Sequence, residues 1–227
     1  MHGSIFADGP KAPPPESIDF PNVIPIFPIP KVVLLPAEVL PLHVFEPRYI
    51  DLVTDAVSSH RVIGMVDVLP GHEDELPGSP PVRNIVCIGF IAAHEELEDG
   101  RFLMWLLGLE RFKIEEELDV PTSYRQVQVR YQPTPESPKR LAGIRPLRQE
   151  LRSLLPNLVD LDDTSREQFA SHMAEVSDAQ LVALAAQILE LDSERKQLLL
   201  ESSTLSDRFL MVYELSLIHI SEPTRPT

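Results

Sequence analysis

The hydrophobic rhythm of this chain changes once. Up to about residue 131 apolar residues come in short runs that alternate with polar ones or are cut by proline; beyond residue 138 they recur every three to four positions. The first rhythm is that of strands and the second that of amphipathic helices. From Asn22 to Phe45, the runs Val23-Ile24, Val32-Val33-Leu34-Leu35 and Val39-Leu40 are separated by prolines. Proline cannot donate to a sheet ladder, so these are predicted to be short strands at edges or corners. In Phe45-Glu46-Pro47-Arg48-Tyr49 the proline suits a first helical position and Glu46 the cap side, and Ile50, Val53 and Val57 follow at helical spacing. One helix of about three turns is predicted there. A strand over residues 61–69 and a Gly/Pro/acidic loop over 70–81 come next.

Residues 85–93 and 102–107 flank Glu98-Asp99-Gly100, a turn signal that predicts a β-hairpin. Phe112-Lys113-Ile114-Glu115 and the run from Tyr124 to Tyr131 both alternate, each with one face to bury. In all, about seven short strands with one interposed helix are expected before residue 132, the spacing of a small barrel or sandwich. Gln132-Pro133-Thr134-Pro135-Glu136-Ser137-Pro138 is a polar, proline-rich linker. After it, Leu141, Ile144, Leu147, Leu151, Leu154 and Leu155 form one stripe. Ser177-Asp178 caps a helix that turns Leu181, Leu184, Ala185, Ile188 and Leu189 inward, and Leu198, Leu199, Leu205, Phe209 and Val212 supply two further helices. The fold class is therefore α+β: a small sheet structure over residues 22–131, a linker over 132–138, and an α-helical bundle over 139–214.

Both ends are set apart. Residues 1–21 form a proline-rich leader, expected to be extended and without function of its own. The eleven residues from Leu215 to Arg225 resemble the in-frame translation of a transposase-type sequencing adapter, so residues 215–227 are expected to be foreign and native sequence to stop near Glu214.

Composition excludes several classes. At 227 residues, 43% hydrophobic and 24% charged, the chain is long enough to bury a core and is unlike a disordered one. It has neither a long apolar run nor a basic, apolar start, so no membrane span and no secretion are expected, and the location is read as cytoplasmic. Its one cysteine, Cys87, lies in the apolar run Ile85-Val86-Cys87-Ile88 and is expected to be a small buried residue, with no disulfide and no Cys-based zinc site. A net charge of −15 disfavours nucleic acid, whose phosphates need Lys and Arg. Residues 66–120 alone hold 13 acidic and 4 basic side chains; that is a solvated acidic surface or a docking site for a basic partner.

No constellation for catalysis stands out. None of the nine glycines precedes a lysine, so a phosphate-binding P-loop is absent, and Gly78-Ser79-Pro80 lacks the context of an activated serine. His72 with Glu73, Asp74 and Glu75, and His94 with Glu95 and Glu96, lack metal-site spacing, and the prolines around His43 and Glu46 forbid a helical ligand pair. No cofactor, metal or catalytic residue is expected. Arg48 and Tyr49 either lock a helix to the sheet or form an exposed contact edge; Trp105, flanked by apolar residues, is read as core, with a partner anchor as the alternative.

The order of motifs resembles the Lon protease N-terminal, or substrate-binding, domain family. The first block is Ile24-Pro25-Ile26-Phe27-Pro28, Val33-Leu34-Leu35-Pro36 and the run from Leu40 through Tyr49. The second is Ile88-Gly89-Phe90-Ile91, Glu95-Glu96-Leu97, Asp99-Gly100-Arg101 and Gly108-Leu109-Glu110-Arg111-Phe112. The resemblance implies a PUA-like β-barrel followed by a helical subdomain, and recruitment of polypeptides in protein quality control; the Phe-Glu-Pro-Arg-Tyr block resembles the stand-alone bacterial members. Capture of a polypeptide segment, along a strand edge or in an apolar groove between barrel and helices, would then fall to Phe45, Arg48, Tyr49 and Trp105. Two other readings stay open: the N-terminal part of a complete ATP-dependent protease, and an RNA-binding PUA-like module. The sequence names neither the partner nor the oligomeric state.

Overall fold

The computed structural model describes residues 20–76, 78–135 and 137–221, with side chains as far as Ile218. Most of the leader and residues 222–227 lie outside them. The chain divides into two compact units between Pro133 and Thr134.

The first unit runs β1 (Val23–Pro28), β2 (Val39–Val44), α1 (Pro47–Val57), β3 (Val62–Val66), β4 (Ile85–Glu96), β5 (Phe102–Leu118) and β6 (Gln126–Tyr131). The six strands form one sheet in the order β2-β5-β4-β3-β1-β6. β6 also pairs with the second half of β5, so the pairings β5, β4, β3, β1, β6 return to β5 while β2 hangs on the outside of that circuit. All pairs are antiparallel except β1 with β3. A parallel pair needs a crossover, and α1 lies in it. Inside the circuit, Ile24, Ile26, Val62, Val66, Val86, Ile88, Phe112, Val127 and Val129 form the core. Cys87 is fully buried beside them.

Two expectations are corrected. The strands are not uniformly short: β4 has 12 residues and β5 has 17, and β5 joins into one strand what alternation alone separates at 102–107 and 112–115. Its pairing with β4 shifts register between Ile88 and Gly89 and again between Ile91 and Ala93, and that with β6 between Ile114 and Glu116; these irregularities bend the ladder, and the one strand serves β2 and β4 first and β6 from Phe112 on. The run Val32-Val33-Leu34-Leu35 is not a strand but a buried loop. Pro30 and Pro36 bracket it, and Lys31 and Ala37 sit at φ of 61° and 67°. The loop lies directly on Gly108, where a Cβ would come within 2.0 Å of the Leu35 carbonyl oxygen. Hydrogen bonds from Ala37 N to Gly108 O (2.7 Å) and from Gly108 N to Glu38 O (2.8 Å) tie it down. The same apolar residues that would pack a strand here pack a loop, because glycine lets its backbone approach.

The hairpin forms as its turn signal implies, with Gly100 at φ 80° and Leu97 N donating to Arg101 O at 2.8 Å. Glu46 is the N-cap of α1 and Pro47 its first residue.

The second unit contains α2 (Pro138–Gly143), α3 (Arg145–Leu158), α4 (Asp163–Glu175), α5 (Asp178–Ile188), α6 (Ser193–Glu201) and α7 (Leu205–Ser221). Ser177 makes a full capping box with Gln180. Ile144, Leu151, Leu155, Met173, Leu181, Ala185, Leu199, Phe209 and Val212 are buried. Leu198 is exposed, because its neighbours Leu199 and Leu200 occupy the inner face of α6. Residues 215–221 continue α7.

Candidate functional site

The four sequence-derived candidates fall into two separate places. Arg48 and Tyr49 open α1. The Tyr49 ring is buried against Phe27, ring centres 4.1 Å apart at 35°, and its hydroxyl donates to the Pro28 carbonyl at 3.4 Å. The helix is thereby locked to β1. Burial pushes the Tyr49 phenol above its usual value, against the opposing pull of the Arg48 charge. Arg48 lies over that ring at 4.7 Å and donates through Nε and Nη2 to one Glu46 oxygen at 3.1 and 2.9 Å.

Beside them is a cavity of about 290 Å³ whose walls include Arg48, Tyr49, Ser79, Pro80, Tyr124 and Arg125. Several of its polar side chains, Ser123 among them, are engaged with neighbouring residues. Arg125 makes two bonds to Glu117, at 2.7 and 2.6 Å, and one to the Pro80 carbonyl at 2.9 Å. Tyr124 donates to Asp55 at 2.7 Å, and Ser123 donates to Asp51 at 2.7 Å. Burial, followed by the bond to Asp55, pushes the Tyr124 phenol up to about 12. These bonds hold α1 to the segment before β6; sequence alone did not pair residues so far apart.

Phe45 and Trp105 belong to the other face of the sheet. In β5, Phe102, Met104 and Leu106 are buried on one face of the sheet, so Leu103, Trp105 and Leu107 lie on the other. Pro41 lies opposite Trp105 and His43 opposite Leu103, and Phe45 continues that row. Phe45 is 61% exposed and its ring lies 5.9 Å from that of His43. Trp105 is half-buried, which corrects its reading as core. The run Phe-Leu-Met-Trp-Leu-Leu is apolar throughout, so no alternation marks which residues face out; only the register does. The same face takes in Val39 and Phe90, opposite Leu107 on its two sides; Phe90 packs on the core of the circuit, so this face continues the circuit's inner side. Among the described residues no strand pairs with the far edge of β2, where Pro41 has no N–H to offer.

An apolar, partly exposed sheet face beside an open edge suits noncovalent capture of an extended chain. Among the described residues no group of three or more His, Cys, Asp or Glu could hold a metal ion, and no helix is long and apolar enough to cross a membrane.

The comparison with known families decides the family. Residues 23–216 match the model of the ATP-dependent protease La (LON) substrate-binding domain. The chain belongs to this family. It is 24% identical over 212 residues to the Lon protease of Dictyoglomus thermophilum, covering 89% of this chain and 26% of that one. It is 27% identical over 203 residues to Lon protease 2 of Myxococcus xanthus, covering 87% and 24%. The chain thus spans about a quarter of the length of these curated relatives. The fold is shared with the N-terminal domain of a Mycobacterium avium complex Lon protease, with a TM-score of 0.68 at 16% identity over 87% of this chain and 99% of that one. It is also shared with a Lon N-terminal domain protein from Xanthomonas campestris, with a TM-score of 0.58 at 21% identity over 85% and 97%. The family match concerns the substrate-binding domain, and the ATPase and protease domains are not part of it.

Proposed function

We propose that this chain is a non-catalytic polypeptide-recognition module, a PUA-like barrel with a helical subdomain, that captures an extended segment of another protein on the Trp105-bearing face of β2 and β5. The family match over residues 23–216 carries this reading. It is supported by the open edge of β2 and by Phe45 and Trp105, which stand on the same face of the sheet. Arg48 and Tyr49 serve it indirectly, by fixing the helix that follows Phe45. A fluorescent, permanently unfolded polypeptide should bind saturably, and Phe45→Ser combined with Trp105→Ser should weaken that binding at least tenfold while the fold persists. Equal binding by the wild type and an unrelated acidic domain would defeat the proposal; RNA binding that falls steeply with salt would replace it with the nucleic-acid reading.

We further propose a stand-alone cytoplasmic adaptor that presents its captured chain to a protease in trans. The Phe-Glu-Pro-Arg-Tyr block at residues 45–49, which resembles the stand-alone bacterial members, supports that form. The second reading, the front of a complete ATP-dependent protease, is favoured by curated relatives about four times as long. Reading the gene beyond the codon for Glu214 separates them: a phosphate-binding loop downstream establishes the protease.

A further inference from the structure

The Trp105-bearing face of β2, β5 and β4 carries charge at its two ends. At one end, Glu95 lies opposite Leu103, which lies opposite His43, so a carboxylate stands on the apolar face itself, one row from Trp105. Glu96, Glu98 and Asp99 follow in the hairpin turn, and all four acids are exposed. The one cation among them, Arg101, is committed to Asp99 through bonds of 2.7 and 2.6 Å. β2 contributes no charged residue. At the other end Arg61 stacks over Phe90 at 5.6 Å and donates to the Ile91 carbonyl at 3.2 Å. The middle, formed by Pro41, Leu103, Trp105 and Leu107, is uncharged.

We infer that the polypeptide captured here is an apolar segment with lysine or arginine at one of its ends, the end laid beside Val44 and Phe45. This deepens the polypeptide-binding reading and rests on it. The physical basis is charge complementarity. A strand added at the edge of β2 would lie about 14 Å from β4, three strand spacings away, beyond the screening length of about 8 Å at physiological salt but well inside the roughly 30 Å of 0.01 M salt. The hairpin end, four carboxylates against the one Arg101 guanidinium, therefore acts at low salt as a field that attracts a basic flank and repels an acidic one, more than as a set of fixed ion pairs. The far end, with its arginine, offers a basic flank nothing, and the preference is one-sided.

The test measures fluorescence anisotropy with peptides sharing one apolar core the length of β2, six residues. A pair of Lys, Ser or Glu is placed at one end, in one series N-terminal to the core and in another C-terminal. At low salt the lysine peptide should bind about tenfold more tightly than the glutamate peptide in at least one series, with serine between, and the spread should shrink at about 0.5 M salt. Glu95→Lys, Glu96→Lys and Glu98→Lys together should invert the order. Asp74→Lys, Glu115→Lys and Glu116→Lys, which change net charge equally but lie elsewhere, should leave it intact. If all three peptides bind alike at low salt in both series, the inference fails and the polypeptide-binding reading survives. If both triple variants change the order equally, the preference belongs to the net charge and the inference fails. If no peptide and no unfolded protein binds, both fail.

Discussion

Phe45 and Tyr49 are four residues apart in one motif, yet the structure assigns them opposite work. Tyr49 is 5% exposed, wedged on Phe27 and bonded to the Pro28 carbonyl, whereas Phe45 is 61% exposed and meets only the neighbouring His43 ring among the recorded ring contacts. The turn at Glu46-Pro47 separates them: before it the chain is still an outer row of the sheet, and after it the helix has turned inward. Aromatic residues in one motif thus mark both the fastening of the scaffold and the surface that the scaffold presents. Burial, not residue type, distinguishes the two.

That contrast can be broken by substitution. Tyr49→Ala should be the most damaging change, costing roughly 3 to 4 kcal/mol in denaturant unfolding, as expected when a large buried ring leaves a cavity; a loss below about 1 kcal/mol would show that α1 is fastened elsewhere. Tyr124→Phe should cost about 1 to 3 kcal/mol at pH 8 by removing the bond to Asp55. Its deficit should shrink with pH. The Tyr124 phenol is held up at about 12 in the fold against about 10 in the unfolded chain. The unfolded state therefore loses its proton first, and the wild type's advantage is complete below pH 10 and is lost as pH rises through about 12. Unfolding midpoints that keep a constant gap across that window would contradict the assignment.

On the face that carries Phe45 and Trp105 the stability effects should be smaller and the binding effects larger. Trp105→Ala should cost about 1 to 2 kcal/mol, since the ring is only half-buried, and should weaken polypeptide binding several-fold. Phe45→Ala should change stability by no more than about 0.5 kcal/mol and still reduce binding. A Phe45 variant that unfolds the protein, or a Tyr49→Phe variant that binds as poorly as Phe45→Ala, would erase the distinction between fastening and presenting residues.

Much of the fold was legible in sequence wherever a local rule was sufficient. Pro47 starts α1, Asp99-Gly100 turns the hairpin, and Ser177 with Gln180 begins α5, each because a short-range hydrogen bond or a fixed φ decides the matter. α4 was passed over because only Met173 on it is fully buried, so its apolar stripe is faint; the cap at Asp162, which accepts from Ser165 N, was the signal available. The Val32–Leu35 loop was misassigned because its apolar residues are buried by Gly108, more than seventy positions away. Of the candidate site, Phe45 and Trp105 could be nominated, but not placed on a common face, since that depends on the pairing of β2 with β5.

From the sequence alone follow the α+β class, the change from strands to helices near residue 132, the acidic balance and the family resemblance. Each rests on periodicity, composition or a motif, quantities carried by neighbouring residues. Only the tertiary structure decided that β5 is one bent strand, that Tyr124 reaches Asp55, and which apolar residues stay at the surface. In a chain with few charges between its apolar residues, as at Phe102–Leu107, hydrophobicity says that burial is favourable but not which face is buried. Strand register supplies that missing direction, and it is settled by partners distant in sequence.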